Sequence, residues 1–199
     1  DGSRTLIVDP QNATASPAGW HDDGTTVFTD TRGNNVLAQE DANQDNAGGN
    51  RPDGGGSGVF DFPLDLTSAP SANEDAAITN AFYWMNVAHD IHFQYGFDEA
   101  AGNFQTTNTT GQGQGGDAMI VDVLDPNGGI PTGSGPHISV PADGTAPRME
   151  LGPNTGPDPD TMAAISNEIS IHEYGHGVSI RLVGGPSNAS GLSNSQGRG

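Results

Sequence analysis

The chain has 199 residues, a length that suits one domain or one lobe of a larger domain. Its 25 acidic residues outnumber six basic residues, all of them arginine, so the formal net charge is −19. Because binding to phosphate backbones and anionic lipid headgroups is carried largely by Lys and Arg, nucleic acid and membrane surfaces are poor candidate partners.

The composition predicts a loop-rich fold. Hydrophobic residues make up 32% of the chain, which also contains 30 Gly and 14 Pro. No apolar run approaches the roughly 20 residues that span a bilayer. The chain has no cysteine, which excludes a disulfide framework and cysteine nucleophiles. A bound metal is therefore the expected cross-link that stabilises a small core.

The N-terminal part shows short apolar stretches separated by turn residues. Thr5 to Val8 and Thr25 to Thr29 are typical of short strands. Residues 39–58 consist mainly of Asn, Asp, Gln and Gly and are predicted to form a solvated loop.

Within this predicted loop, Asp41, Asn43 and Asp45 resemble the start of a calcium-binding loop. The resemblance soon ends, because Asn46 stands in place of the required Gly and Pro52 in place of the bidentate Glu. Calcium is therefore an unsupported alternative. An acidic calcium-binding adhesive module is the function that would go with such a site, and it ranks third among the interpretations of this sequence.

The first predicted helix runs from Asn73 to Tyr95, with its first residue placed as the N-cap and Gly96 just beyond its end. Its apolar face recurs at helical spacing in Ile78, Phe82, Met85, His89 and His92. A metal could use the pair His89 and His92. Hydrogen-bonded core histidines next to Asp90 are the favoured interpretation.

The second half of the chain contains three predicted strands and a second helix. The strands are Ala118 to Leu124, His137 to Val140 and Arg148 to Leu151. The helix is predicted to begin near Asp158 to Thr161, where an Asp-Pro pair supplies a cap and a first helical residue. It ends at about Leu182, before a Gly-Gly-Pro terminator.

The second helix carries the sequence His172-Glu173-Tyr174-Gly175-His176. Two histidines four residues apart project from one helix face about 6 Å apart along the axis, so both imidazoles can reach one zinc ion. Glu173, adjacent to the first histidine, can take a proton from water on the metal. These are the parts of a hydrolase.

The alternative is an ordinary amphipathic helix that carries this spacing by chance. Gly175 and Gly177 argue against it, because a glycine inside a helix costs about 1 kcal/mol relative to Ala. Such departures from local rules concentrate at functional sites.

A catalytic zinc site needs a third protein ligand. Glu168 shares the face but lies eight residues from His176, a rise of about 12 Å that excludes both from one ion. His137 or Asp143 could approach from elsewhere, without local support. The third ligand is therefore expected outside these 199 residues.

Five segments occur in order along the chain: Gly19-Trp20-His21, Thr31 to Val36, Asn80 to Gln105, Pro147-Arg148-Met149 and His172 to Gly185. Together they resemble the fungalysin family of secreted zinc endopeptidases. The resemblance implies an α+β fold of thermolysin-like architecture. It implies a β-rich N-terminal lobe over 1–157 with a helix near 74–95, a zinc helix over 158–183, and a loop over 184–199 leading to a mostly helical lobe.

The resemblance also implies a biochemical role. His172 and His176 would be zinc ligands and Glu173 the general base, acting on internal peptide bonds of protein or peptide substrates. It implies secretion and a removable propeptide that inhibits the enzyme before maturation.

The family's third ligand is a Glu in a Glu-Gly-Trp-Ser-Asp segment after the zinc helix, and this segment is missing here. The favoured hypothesis is one chain of a nicked enzyme, cleaved in the loop near Arg198, whose complementary C-terminal chain supplies that Glu. The runner-up is a catalytically incomplete remnant that binds metal or protein.

Related enzymes hold substrate as an added strand along a sheet edge. The matching stretch is Gly135-Pro136-His137-Ile138-Ser139, in which Pro136 lacks a donor and His137 stands where the family has Asn. Substrate alignment by this strand is expected, but the individual substrate-binding residues stay unassigned.

Overall fold

The structure, a computed structural model, describes residues 5–193. The helices are α1, Glu74–Gln94, and α2, Asn167–Leu182; the strands are β1, Val36–Glu40, β2, Met119–Val123, β3, His137–Ser139, β4, Arg148–Leu151, β5, Pro153–Asn154, and β6, Thr161–Met162. The fold is thus mixed α and β, with most residues in turns and loops. Neither helix in this range is long and apolar enough to cross a membrane. The cleavage predicted near Arg198 lies outside the described residues.

Four strands form the main sheet in the order β1-β2-β4-β3. Strand β2 pairs in parallel with both β1 and β4, whereas β3 pairs antiparallel with β4. At the centre, Val121 lies between Ala38 of β1 and Met149 of β4. Strand β3 is therefore an edge strand of this sheet. Strands β5 and β6 form a separate antiparallel pair.

Helix α1 packs its apolar face against the sheet. The buried helix residues include Ala77, Ile78, Ala81, Phe82 and Met85. The buried sheet residues include Val36, Ala38, Val121, Val123, Met149 and Leu151. This shared core confirms Ile78, Phe82 and Met85 on the buried face predicted for α1, whereas His92 is half-buried. Apolar burial of this kind is the main favourable term in folding.

The ends of α1 match the prediction except at the cap. Glu74 and Asp75 lie in the first turn, where the helix dipole favours negative charge, and Gly96 has a φ of 99° just after the helix. The capping hydrogen bond expected from Asn73 is absent. Its side chain instead accepts a hydrogen bond from the Asp65 backbone N–H at 2.7 Å and donates to the Asp65 carbonyl at 2.9 Å. Asn73 thus joins the preceding loop to the helix.

The predictions for the N-terminal third were partly wrong. Residues 5–8 form no strand, and Leu6, Ile7 and Val8 are exposed. Around residues 25–29 there is one isolated bridge, between Asp22 and Val27. A strand needs a neighbouring strand to pair its backbone groups, and neither stretch pairs with a strand of the main sheet. Conversely, β1 extends to Glu40, into the stretch predicted as loop.

Helix α2 begins later than predicted. Residues near Asp158 do not start it: Thr161–Met162 pair with Pro153–Asn154 as a small β-ladder, and the helix begins at Asn167. The Asp-Pro pair resembles a helix start, but it lies in the short loop between these two paired strands, and that pairing determines the conformation here. The predicted end is confirmed, since Gly184 and Gly185 both have positive φ.

Asp90 on α1 fixes the segment before β1 to the helix. Its buried carboxylate accepts hydrogen bonds at 2.6–3.0 Å from the Asn12 backbone N–H and the side chains of Ser16, Trp20 and His89. Burial alone would raise the pKa of Asp90, but these hydrogen bonds outweigh it and hold the pKa below its ordinary value.

We expect Asp90→Asn to lower the free energy of unfolding by about 2 kcal/mol at neutral pH, because hydrogen bonds to charged groups contribute about 1.5–3 kcal/mol each and the amide can still accept some. A lowered folded-state pKa stabilises the fold above the unfolded value of about 3.9, and this contribution is lost as pH falls through the folded pKa. Urea unfolding at falling pH should therefore show the difference between wild type and Asp90→Asn shrinking in acid. A difference that stays constant would contradict this assignment.

Candidate metal centre

Helix α2 divides its residues between a buried and an exposed face. The buried residues are Ser170, Glu173, Tyr174, Gly177 and Arg181. The exposed face includes Glu168, Ile171, His172, His176 and Leu182. Since residues four apart on a helix are neighbours, the two histidines lie side by side, directed away from the core.

The two imidazoles are close enough to bind the same metal ion. His172 Nε2 and His176 Nε2 are 2.9 Å apart, and their ring planes are perpendicular. Each of these histidines and Glu173 offers one ligand atom, and the three atoms lie within 4.8 Å of one another. Two nitrogens bound to one tetrahedral zinc at about 2.0–2.1 Å would lie roughly 3.3–3.4 Å apart. A small rotation of the rings therefore makes the donor pair fit zinc.

Glu173 differs from the histidines in its surroundings. Its side chain is buried, with a relative exposure of 7% for the residue, whereas both histidines are exposed. Burial raises the pKa of Glu173, and the nearby His176, His172 and His137 oppose this increase. A carboxylate with a raised pKa binds a proton more readily, which suits a proton acceptor near neutral pH.

No further acidic or histidine side chain joins this group within residues 5–193. The group consists of His172, Glu173 and His176. Glu168 is exposed one turn earlier on α2 and stays outside it. This placement agrees with the helical-rise argument against Glu168 as a ligand.

The other two candidates for a third ligand are occupied elsewhere. His137 Nε2 lies 3.0 Å from Glu150 Oε2, and its Nδ1 lies 2.9 Å from the Gly135 carbonyl oxygen. Asp143 accepts a hydrogen bond at 3.3 Å from Arg181, near the C-terminal end of α2. Neither side chain faces the two histidines as a ligand.

Residues that the sequence analysis did not single out pack behind the candidate metal-binding face. Phe104 packs edge-on against Tyr174, with ring centroids 5.7 Å apart. The Arg181 guanidinium carbon lies 5.0 Å from the centre of the Phe104 ring. At the start of α2, Asn80 donates a hydrogen bond at 2.9 Å to Asn167. No local signal could reveal these contacts, since most join residues far apart along the chain.

The interpretation of His89 as a core histidine is confirmed. His89 is 1% exposed, and its Nδ1 lies 3.0 Å from Asp90 while its Nε2 accepts from Asn103 at 3.2 Å. His92 Nδ1 lies 2.8 Å from the Ala88 carbonyl oxygen. Neither ring belongs to a cluster of metal-binding side chains among residues 5–193.

Asp41, at the start of the calcium-like loop, is buried rather than solvated. It groups with Asp122, in β2, and Asp125, just after that strand. The ligand atoms of the three carboxylates lie within 4.8 Å of one another. All three carboxylates already accept hydrogen bonds from protein donors, and Arg148 pairs with Asp122. Calcium binding therefore stays an unsupported alternative.

A comparison with known families decides the assignment. The sequence profile of the family described as Fungalysin metallopeptidase (M36) matches residues 1–199. The chain belongs to this family. The fungalysin resemblance inferred from the motifs is thereby confirmed, and His172, Glu173 and His176 lie inside the matched range.

Relatives of this fungalysin chain carry names that agree with the family. They include the extracellular metalloproteinase MEP of Pyricularia oryzae, 39% identical over 194 residues, that of Leptosphaeria maculans, 38% over 196, and extracellular metalloproteinase 5 of Trichophyton tonsurans, 37% over 191. These alignments cover 95–97% of the chain but 30–31% of each relative's length. The chain thus spans about a third of the fungalysins that it matches.

Proposed function

We propose that this chain forms the N-terminal part of the catalytic domain of a secreted, thermolysin-like zinc endopeptidase. Residues 1–157 would form the N-terminal lobe, 158–183 would carry the zinc helix, and 184–199 would lead to a helical lobe. The observation that carries the proposal is the pair of Nε2 atoms of His172 and His176, 2.9 Å apart beside the buried Glu173. Relatives named extracellular metalloproteinases support secretion.

In this proposal each residue has a distinct role. His172 and His176 hold zinc through their Nε2 atoms. Bound zinc supplies a Lewis acid that lowers the pKa of water and polarises a carbonyl. Glu173 accepts the proton of the attacking water and can then donate it to the departing amine. The raised pKa of Glu173 suits both steps.

The edge strand β3 would align the substrate. It lies at one side of the sheet, beside α2, and an extended peptide can add to such an edge through backbone hydrogen bonds. A peptide lying along β3 would place an internal bond near the metal-binding face of α2, which suits cleavage within protein chains.

The third zinc ligand would be an acidic side chain from outside this chain. No residue in the described range besides Glu173 joins the two histidines. Ile171 and Leu182, on the same face of α2, are 40% and 50% exposed. A helical C-terminal segment that covers this face would bury both side chains and supply the third zinc ligand. That segment would belong to the same polypeptide or to the second chain of a nicked enzyme.

The test is metal content and activity of the protein that carries this chain. We expect one zinc per chain, peptidase activity on an internally quenched peptide, loss of activity with a chelator and recovery with zinc. His172→Ala and His176→Ala should each lose zinc together with activity, because two ligands on one helix anchor the ion. Glu168→Gln, an exposed change one turn away, is the matched control and should keep both.

The outcome also separates the alternatives. Zinc binding through His172 and His176 without peptidase activity would support the catalytically incomplete remnant. Zinc content that survives both histidine substitutions would refute the proposed metal centre.

A further inference from the structure

Gly177 lies where α2 packs closely against its neighbours. The residue is buried and follows His176 directly. A Cβ atom at Gly177 would lie 3.1 Å from Phe104 Cζ and 3.2 Å from Ile138 Cδ1. Since carbon atoms prefer separations of about 3.5–4.0 Å, a side chain here would force a displacement.

Gly175, two residues earlier, differs sharply. A Cβ atom there would meet nothing within 4 Å among the described residues. Both glycines weaken the helix to a similar extent by propensity. A steric requirement therefore exists at Gly177 and is absent at Gly175.

The two neighbours of Gly177 belong to different parts of the fold. Ile138 lies in the edge strand β3, and Phe104 lies in the loop that follows α1. Phe104 has little freedom to move, because its ring contacts Phe97, with centroids 5.3 Å apart, as well as Tyr174 and Arg181. An added Cβ at Gly177 therefore requires a small shift, of α2 away from the Phe104 ring or of the Ile138 side chain on β3.

We propose that Gly177 sets the separation between the metal-binding face of α2 and the edge strand β3, and is thus a positioning residue for peptide hydrolysis. The inference rests on the proposed function, in which the substrate lies along β3 and zinc binds His172 and His176. Those ligands and Gly177 share one rigid helix, so a displacement at Gly177 moves the metal relative to the substrate. Catalysis depends steeply on that distance, since a misplacement of about 1 Å can lower the rate by about 100-fold.

The steric part is tested by thermal unfolding of the full-length, zinc-loaded protein. We expect Gly177→Ala to lower Tm by about 2–4 °C, the shift typical of a modest destabilisation in a domain of about 200 residues. Gly175→Ala, the matched control on the same helix, should leave Tm unchanged or raise it. Ile138→Val removes the Cδ1 atom, so it should recover part of the Tm loss when combined with Gly177→Ala, which a double-mutant cycle detects.

The positioning part is tested by steady-state kinetics on the same variants. A shift of a few tenths of an ångström should lower kcat by about three- to tenfold in Gly177→Ala, with KM changed less, because the near-attack geometry depends on the exact placement of the reacting groups. Zinc affinity should stay within about twofold, since both histidine ligands remain on α2 at unchanged spacing. Ile138→Val should restore part of the lost kcat in the double variant.

The outcomes separate this inference from the proposed function. An active wild type, with kcat unchanged in Gly177→Ala or not recovered by Ile138→Val, would overturn the positioning role alone. Equal Tm effects at Gly175 and Gly177 would overturn its steric basis. A wild type with no metal-dependent activity would refute the proposed function and the positioning role together.

Discussion

Glu173→Gln should lower kcat by about 10²–10⁴-fold while the protein keeps its zinc, because general-base catalysis contributes a factor of that size. Gln has nearly the shape of Glu, so the packing around this buried side chain is preserved. It cannot take up a proton from the attacking water. The measurement pairs kcat for an internally quenched peptide with the zinc content of the same sample.

This pairing also distinguishes a base from a ligand. Glu173 lies close enough to His172 and His176 to be counted with them as a ligand donor. If Glu173 bound the metal, Glu173→Gln would lower zinc content as well as kcat. The exposed Glu168→Gln variant on the same helix should leave both quantities unchanged. Retention of full activity in Glu173→Gln would refute the proposed role of Glu173.

The central part of the candidate site could be predicted because its geometry is local. The four-residue spacing of His172 and His176 determines their approach once a helix forms, and no distant residue is needed. The same holds for α1, whose apolar period and flanking Gly96 were visible in sequence. The steric requirement for glycine at position 177 could not be predicted from sequence, because Phe104 and Ile138 lie 73 and 39 positions earlier in the chain.

The strands were predicted less well because their partners are distant. β2 is a nearly continuous apolar segment and β4 is an alternating one, and both were predicted near their observed bounds. β1 contains Gln39 and Glu40, and its pairing with β2 joins residues about 80 positions apart. A short-range pairing, between β5 and β6, replaced the first turns expected for α2. In both cases strand pairing outweighed the preference read from the local sequence.

Arg181→Met should lower the free energy of unfolding by about 3–5 kcal/mol, the usual effect of removing one partner from a buried ion pair. Arg181 and Asp117 are both 0% exposed, and Arg181 Nη1 lies 3.0 Å from Asp117 Oδ2. The guanidinium also donates to three loop carbonyls, those of Gly102, Pro141 and Thr145. Without it these carbonyls lose a donor, and the buried Asp117 carboxylate loses its opposing charge and keeps only backbone N–H donors.

The matched control is Arg32→Met. Arg32 makes a bidentate pair with Asp30, but its side chain is 39% exposed. Exposed pairs of this kind typically contribute less than about 1 kcal/mol. Urea unfolding of both variants at neutral pH should therefore separate them by at least about 2 kcal/mol. Equal losses would mean that the buried network of Arg181 contributes no more than a surface pair.

The pH dependence of the Arg181→Met effect tests its electrostatic origin. Burial already raises the pKa of Asp117, although the Arg181 side chain and backbone N–H groups oppose the rise. Removing Arg181 takes away an opposing charge, so the pKa of Asp117 in the folded variant should rise further. A folded-state pKa above the unfolded value favours the fold at low pH, and this advantage is lost as pH increases. The destabilisation should therefore be larger at neutral pH than near pH 4, and adding Asp117→Asn to Arg181→Met should recover stability at neutral pH because the uncompensated charge is removed.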